Sequence, residues 1–220
     1  MQISRTALAL AACLTALGVL AVEHLALPLL KNGDPAADIV VPGPVDVGFA
    51  QSMVLHHQQA IGMAMLMQDD RPTPLLMLAR GIATAQLVEL GEMRGWLRVW
   101  NQPLIAQKQG MDWMLLGSRP PDAELRQYLL DCQRAPTGMS GLATDSEVNR
   151  LRELDGRERD KHFLSLMLAH HEGGIPMARF AAAEARVPVV RDLASRIVLE
   201  QSEEIYRIQR TLVAIDALQE

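Results

Sequence analysis

The histidine pair His56-His57 lies in the segment Asp46-x-x-Phe49-x-x-x-Met53-x-x-His56-His57-x-x-x-Ile61-x-Met63-Ala64. The chain repeats it 114 residues later as Asp160-x-x-Phe163-x-x-x-Met167-x-x-His170-His171-x-x-x-Ile175-x-Met177-Ala178. Eight positions match in one register, and two of them are adjacent histidines in a chain with only six. Composition does not generate such a coincidence, so the chain is a duplication. A second pair of segments agrees: Leu78-Ala79-x-x-Ile82-x-x-x-Gln86-x-x-Glu89-Leu90 recurs as Leu193-Ala194-x-x-Ile197-x-x-x-Gln201-x-x-Glu204-Ile205, at an offset of 115. Each repeat thus joins a His-His segment to a Gln-x-x-Glu segment, and the fold is expected to relate the copies by a pseudo-twofold axis.

Apolar residues at Phe49, Met53, Ala60, Met63, Ala64 and Met67 recur at spacings of three and four, which predicts a helix from about Asp46 to Gln68. Asp69-Asp70-Arg71-Pro72 ends it. Thr73-Pro74 reads as a capping hydroxyl followed by proline at the first helical position, so a second helix is expected from there towards Trp100, with Leu75, Leu78, Ile82, Glu89, Met93, Trp96 and Trp100 on one stripe. Residues 102-156 form the connection between repeats, with short helices expected at Asp122 to Gln133 and Ser146 to Leu154. The second of these follows the capping-box pattern Thr144-x-x-Glu147. The second repeat supplies helices from Arg157 to Ala185 and from Pro188 to the C-terminus. Pro176, in place of Gly62, cannot donate to the carbonyl of Glu172 and is expected to kink its helix. Short loops inside each repeat imply antiparallel hairpins, and two hairpins give an all-α four-helix bundle over residues 46-220.

The 220 residues are half apolar, which suffices for one packed domain. A formal charge of −5 without a basic run excludes a phosphate backbone as partner, so no nucleic acid is expected. An uncharged apolar stretch from Thr6 to Val22 follows Arg5, the layout of an export signal, and Leu25 to Leu30 extends it towards the length that spans a bilayer. Residues 1-30 therefore read as a signal peptide or inner-membrane anchor, residues 31-45 as a linker, and the folded part as periplasmic or otherwise extracytoplasmic. A homo-oligomer stays compatible with the sequence. Cys132 is the one thiol outside the apolar segment, so no internal disulfide is expected. No serine or cysteine stands in a nucleophile setting and no phosphate loop occurs.

Projected at about 100° per residue, His56 and His57 border the apolar face of their helix, while Glu89 and Gln86 fall inside the stripe of theirs. The interior is expected to hold four histidines, two glutamates and two glutamines. Three readings fit. The groups satisfy one another in a polar layer that fixes helix register, with no metal. Alternatively they form a ferritin-like di-iron site, but Met53 and Met167 stand where the carboxylates of Glu-x-x-His belong. Or Met-x-x-His, placing thioether and imidazole on one helix face, binds copper, particularly cuprous ion. The candidate metal ligands are His56, His57, His170, His171, Met53, Met63, Met167, Met177, Glu89 and Glu204.

The paired segments resemble the exported bacterial family called domain of unknown function 305, over most of Asp46 to Leu218. The resemblance implies a helical, ferritin-like fold and an association with copper binding in some members. It carries onto Met53, His56, His57, Met63 and Glu89 and onto Met167, His170, His171, Met177 and Glu204. Gly174 and Pro176 depart from the pattern.

Overall fold

The computed structural model describes residues 41–106 and 110–217. The expected signal or anchor, and most of the expected linker, lie outside the described residues. Six α-helices and one short 3₁₀ turn account for the regular structure, with no strand among the described residues: α1 Pro44–Leu66, α2 Leu76–Val99, the turn Asp112–Leu115, α3 Ala123–Arg134, α4 Asp145–Glu153, α5 Gly156–Glu184 and α6 Pro188–Ala217. None of these helices is long and apolar enough to cross a membrane.

Helix α1 starts two residues earlier than the pattern predicts, because Pro44 takes the first helical position and Asp46 accepts from the Gly43 N–H at 2.7 Å. Helix α2 starts later than expected. Thr73 does accept a backbone N–H, but from Leu75 at 3.0 Å, which forms a turn ahead of the helix. The capping box before α4 forms as read, Thr144 N donating to Glu147 at 2.7 Å. Helix α5 is continuous through Pro176. On α2 the fully buried residue near the C-terminal end is Leu97, with Trp96 and Trp100 only partly covered.

Helices α1 and α2 pack as one hairpin and α5 and α6 as another, and the hairpins meet along α1 and α5. Two apolar clusters result. One holds Phe49, Met53, Met93, Leu97, Met177, Ala181, Leu193 and Ile197; the other holds Met63, Met67, Ala79, Ile82, Phe163, Met167 and Ile208. The first half of α1 thus shares a cluster with the second half of α5, and the second half of α1 with the first half of α5. Those two helices run in opposite directions, and exchanging the repeats exchanges the clusters.

The aspartate that opens each repeated segment ties the two repeats together. Asp46 is fully buried and accepts the N–H groups of Arg186 (3.2 Å) and Val187 (2.8 Å) in the loop between α5 and α6. Asp160 accepts the Thr73 hydroxyl, at 2.7 Å, in the loop between α1 and α2. Each copy therefore anchors the hairpin loop of the other.

A single connection crosses a nearly symmetric pair of repeats, so matching positions must receive it differently. Gln59 pairs with both backbone groups of Ala143, at 2.8 and 2.7 Å. Its counterpart is Gly173, where a Cβ would fall 2.2 Å from the Ser140 carbonyl oxygen. There the connection rests on bare helix backbone, and the Tyr128 hydroxyl donates to the Gly173 carbonyl at 2.9 Å.

Candidate metal centre

Between the two apolar clusters lies a polar layer. His56, His57, His170 and His171 are each 0% exposed, and Gln86, Gln201 and Glu89 are buried beside them. Glu204 is only partly covered, a departure from the symmetric burial expected from the repeat. The second histidine of each pair meets the glutamate of its own hairpin: His57 Nε2 lies 2.6 Å from Glu89 Oε2, and His171 Nε2 lies 2.6 Å from Glu204 Oε2. The first histidines meet each other, with the His56 and His170 ring centroids 3.7 Å apart and tilted by 34°. His170 Nε2 also reaches the backbone carbonyl of His56 at 2.9 Å.

These contacts assign protons. A carboxylate or carbonyl oxygen accepts, so Nε2 of His57, His170 and His171 must donate, and in the neutral ring Nδ1 is then a bare lone pair. None of those Nδ1 atoms has a partner, and neither nitrogen of His56 has one. Both amide atoms of Gln86 and of Gln201 are likewise unpaired, as is Glu89 Oε1. Buried polar atoms are normally satisfied, and here all the exceptions but Arg159 Nε gather in one layer. Burial holds His56 well below the ordinary histidine range, and the neighbouring imidazoles, His170 first, push the same way. Burial likewise depresses His170, with His171 adding to it. Both rings are therefore neutral at pH 7, the form in which imidazole binds a metal.

The two copies are not equivalent. Gly174 matches Ala60, and a Cβ built on Gly174 would lie 2.7 Å from His56 Cε1 and 2.9 Å from Gln201 Oε1. The His56 ring thus occupies space that a side chain at position 174 would fill, and no such space exists at Ala60 for His170.

The candidate thioethers are all buried, but the antiparallel packing regroups them. Met53 and Met177 fall in one apolar cluster, Met63 and Met167 in the other, so each side of the layer receives one methionine from each repeat. Among the described residues no three His, Cys, Asp or Glu side chains converge closely enough to hold an ion by themselves. Imidazole nitrogen in the layer and methionine sulfur on either side of it are the soft donors present. Local helical patterning does not reveal that the connection seats at Gln59 and Gly173; the signal for it in the sequence is the pair of mid-helix glycines at 173 and 174, which stand opposite Gln59 and Ala60 of the first repeat.

Residues 46–212 match the profile of the domain of unknown function DUF305. A DUF305 protein from Streptomyces coelicolor, a candidate secreted protein, is 32% identical over 78% of this chain and 94% of its own, with a TM-score of 0.66. A DUF305 fragment from Deinococcus radiodurans is 26% identical, covering 79% of this chain and 98% of the fragment at a TM-score of 0.59. CopM in its Cu(I)-bound form is 26% identical over 75% of this chain and 93% of CopM, at a TM-score of 0.51. No curated protein matches the chain. The profile spans both copies of the His-His and Gln-x-x-Glu segments, and the chain belongs to the DUF305 family.

Proposed function

We propose that this is an exported metal-binding protein that takes up copper, as cuprous ion, in the histidine layer of a ferritin-like four-helix bundle and serves as a buffer or carrier. The observation that carries the reading is the set of five imidazole nitrogens, His56 Nδ1 and Nε2 and the Nδ1 atoms of His57, His170 and His171, that are buried without a partner. A lone pair in such a place is costly unless a cation or a proton meets it.

Cuprous ion suits the surroundings, being soft and singly charged and taking imidazole together with thioether. Met53 and Met177 would serve from one side of the layer and Met63 and Met167 from the other. Glu89 and Glu204 act from behind the rings. By accepting the Nε2–H of His57 and His171 they fix the tautomer that presents Nδ1, and their charge offsets that of an ion in a buried setting where an uncompensated charge is expensive. Copper bound to CopM supports the reading at the level of a distant relative. Iron fits less well, since methionine replaces the carboxylate at positions 53 and 167. Export is supported by the apolar segment after Arg5 and by the resemblance to the Streptomyces protein.

The rival is a metal-free domain whose polar layer only sets register, favoured by the carboxylate bonds that already hold His57 and His171. Thermal melts of wild type and of a variant with His56, His57, His170 and His171 all changed to Gln, with and without cuprous ion under reducing conditions, separate the two. A ligand at about 100 times its dissociation constant adds about 2.7 kcal/mol to the wild type, and the variant should show no gain. Equal gains in both proteins would remove the histidines as principal ligands, and no gain in either would establish the register reading.

A further inference from the structure

The histidine layer is closed on one side and lightly closed on the other. Where α1 and α5 meet, the connection lies across them at the level of the layer. Gln59, two residues after His57, holds Ala143, and Gly173, two residues after His171, lies against Ser140 and Gly141. On the remaining side α2 and α6 have little contact with each other. The link there is the ion pair Arg196 to Glu92 at 2.7 Å.

That seam is acidic. Glu89 and Glu92 come from α2, and Glu200, Glu203 and Glu204 from α6. Two arginines face these carboxylates: Arg196 pairs with Glu92 at 2.7 Å, and Arg207 stands 4.0 Å from Glu204. Glu200 is solvent-exposed, yet desolvation by its neighbours first, and then the charge of Glu89 across the seam, raise its carboxyl above the ordinary glutamate range. Glu200 is an addition to the duplicated pattern, since its counterpart in the first repeat is Ala85.

Acidity alone is not a site, but the seam also contains buried groups that lack partners. The Glu89 side chain is 7% exposed with Oε1 unpaired, and both amide atoms of Gln86 and Gln201, one turn away along each helix, are unpaired. Carboxylates outside, then unpaired carboxylate and amide oxygens, then bare imidazole nitrogens form a graded series of donors leading inward. Among the described residues no three acidic and histidine side chains converge to ligate one ion, so the outer carboxylates attract a cation without retaining it.

We propose that the seam between α2 and α6 is the path by which a soft monovalent cation reaches and leaves the histidine layer, and that Glu200 draws it there. This rests on the metal-binding reading above. The test uses silver(I), a redox-inert ion of the same charge and softness as cuprous ion, in chloride-free buffer with the whole folded protein. Association is followed by stopped flow and affinity by calorimetry. Glu200→Gln should slow association by about three- to tenfold at low salt, with the difference shrinking as salt rises. Dissociation should slow equally, leaving the affinity within about twofold of wild type. Glu124→Gln, on α3 away from the seam, should leave the rate unchanged. If silver binds the wild type and Glu200→Gln associates at the wild-type rate, or if Glu124→Gln slows it as much, the path through the seam is refuted while the metal-binding reading stands. If silver does not bind the wild type, both fall.

Discussion

Replacing Gly174 with alanine tests the geometry of the histidine layer most directly. An alanine Cβ would stand 2.7 Å from His56 Cε1, 2.9 Å from Gln201 Oε1 and 3.4 Å from His56 Nδ1. Carbon atoms in contact prefer about 3.5–4.0 Å, so the ring would have to withdraw by about 1 Å into a layer that is fully buried. Overpacking of that kind costs about 1–3 kcal/mol. Alanine is also the better helix former, worth about 0.8–1.0 kcal/mol over glycine in a helix interior. The net expectation is a loss of about 1 kcal/mol, or a melting temperature lower by about 2–4 °C for a domain of this size, together with weaker copper binding as His56 turns away. Gly91, exposed on α2 with nothing within 4 Å of its Cβ position, isolates the helix term. Gly91→Ala should raise the melting temperature by about the same amount. Circular dichroism melts of the two apo variants and cuprous titrations of both decide the matter. If Gly174→Ala were stabilised as much as Gly91→Ala and bound copper like wild type, the His56 ring would not lie over Gly174 and the two copies of the layer would be equivalent at that position.

Two further outcomes follow from the same contacts. Because burial depresses His56 and His170 in the folded state, the unfolded chain takes up their protons first as pH falls. Stability of the metal-free protein is therefore fully present above about pH 6.5 and declines below it, by up to about 1.4 kcal/mol per pH unit for each histidine; urea midpoints at pH 7.5, 6.0 and 5.0 would show it, and a flat profile would mean the rings are not held neutral. Gly173→Ala places a Cβ 2.2 Å from the Ser140 carbonyl oxygen and 2.6 Å from its carbon, backbone atoms that cannot rotate aside. It should cost about 3 kcal/mol, visible as a lower urea midpoint with unchanged helicity, and a wild-type midpoint would show that the connection does not rest there.

The sequence by itself determined the duplication, the helical class, the capping of α4 and the composition of the polar layer, because helix caps and apolar faces are encoded by residues three or four apart. It also placed Glu89 beside the histidines, since a carboxylate inside an apolar stripe needs a partner. It did not say which histidine: Glu89 and Glu204 take the second of each pair, and the first histidines face each other across the repeats. Nor did it show that Met53 shares a cluster with Met177, more than a hundred residues away, and not with Met63 on its own helix. Spacing along a helix fixes a face but not the direction in which a second helix crosses it, and that direction decides which ends share a core. The connection's seat on Gly173, and the capture of each hairpin loop by the opposite repeat's aspartate, were equally beyond local pattern. They depend on close backbone approach between segments far apart in the chain, and only the packed tertiary structure brings those surfaces together.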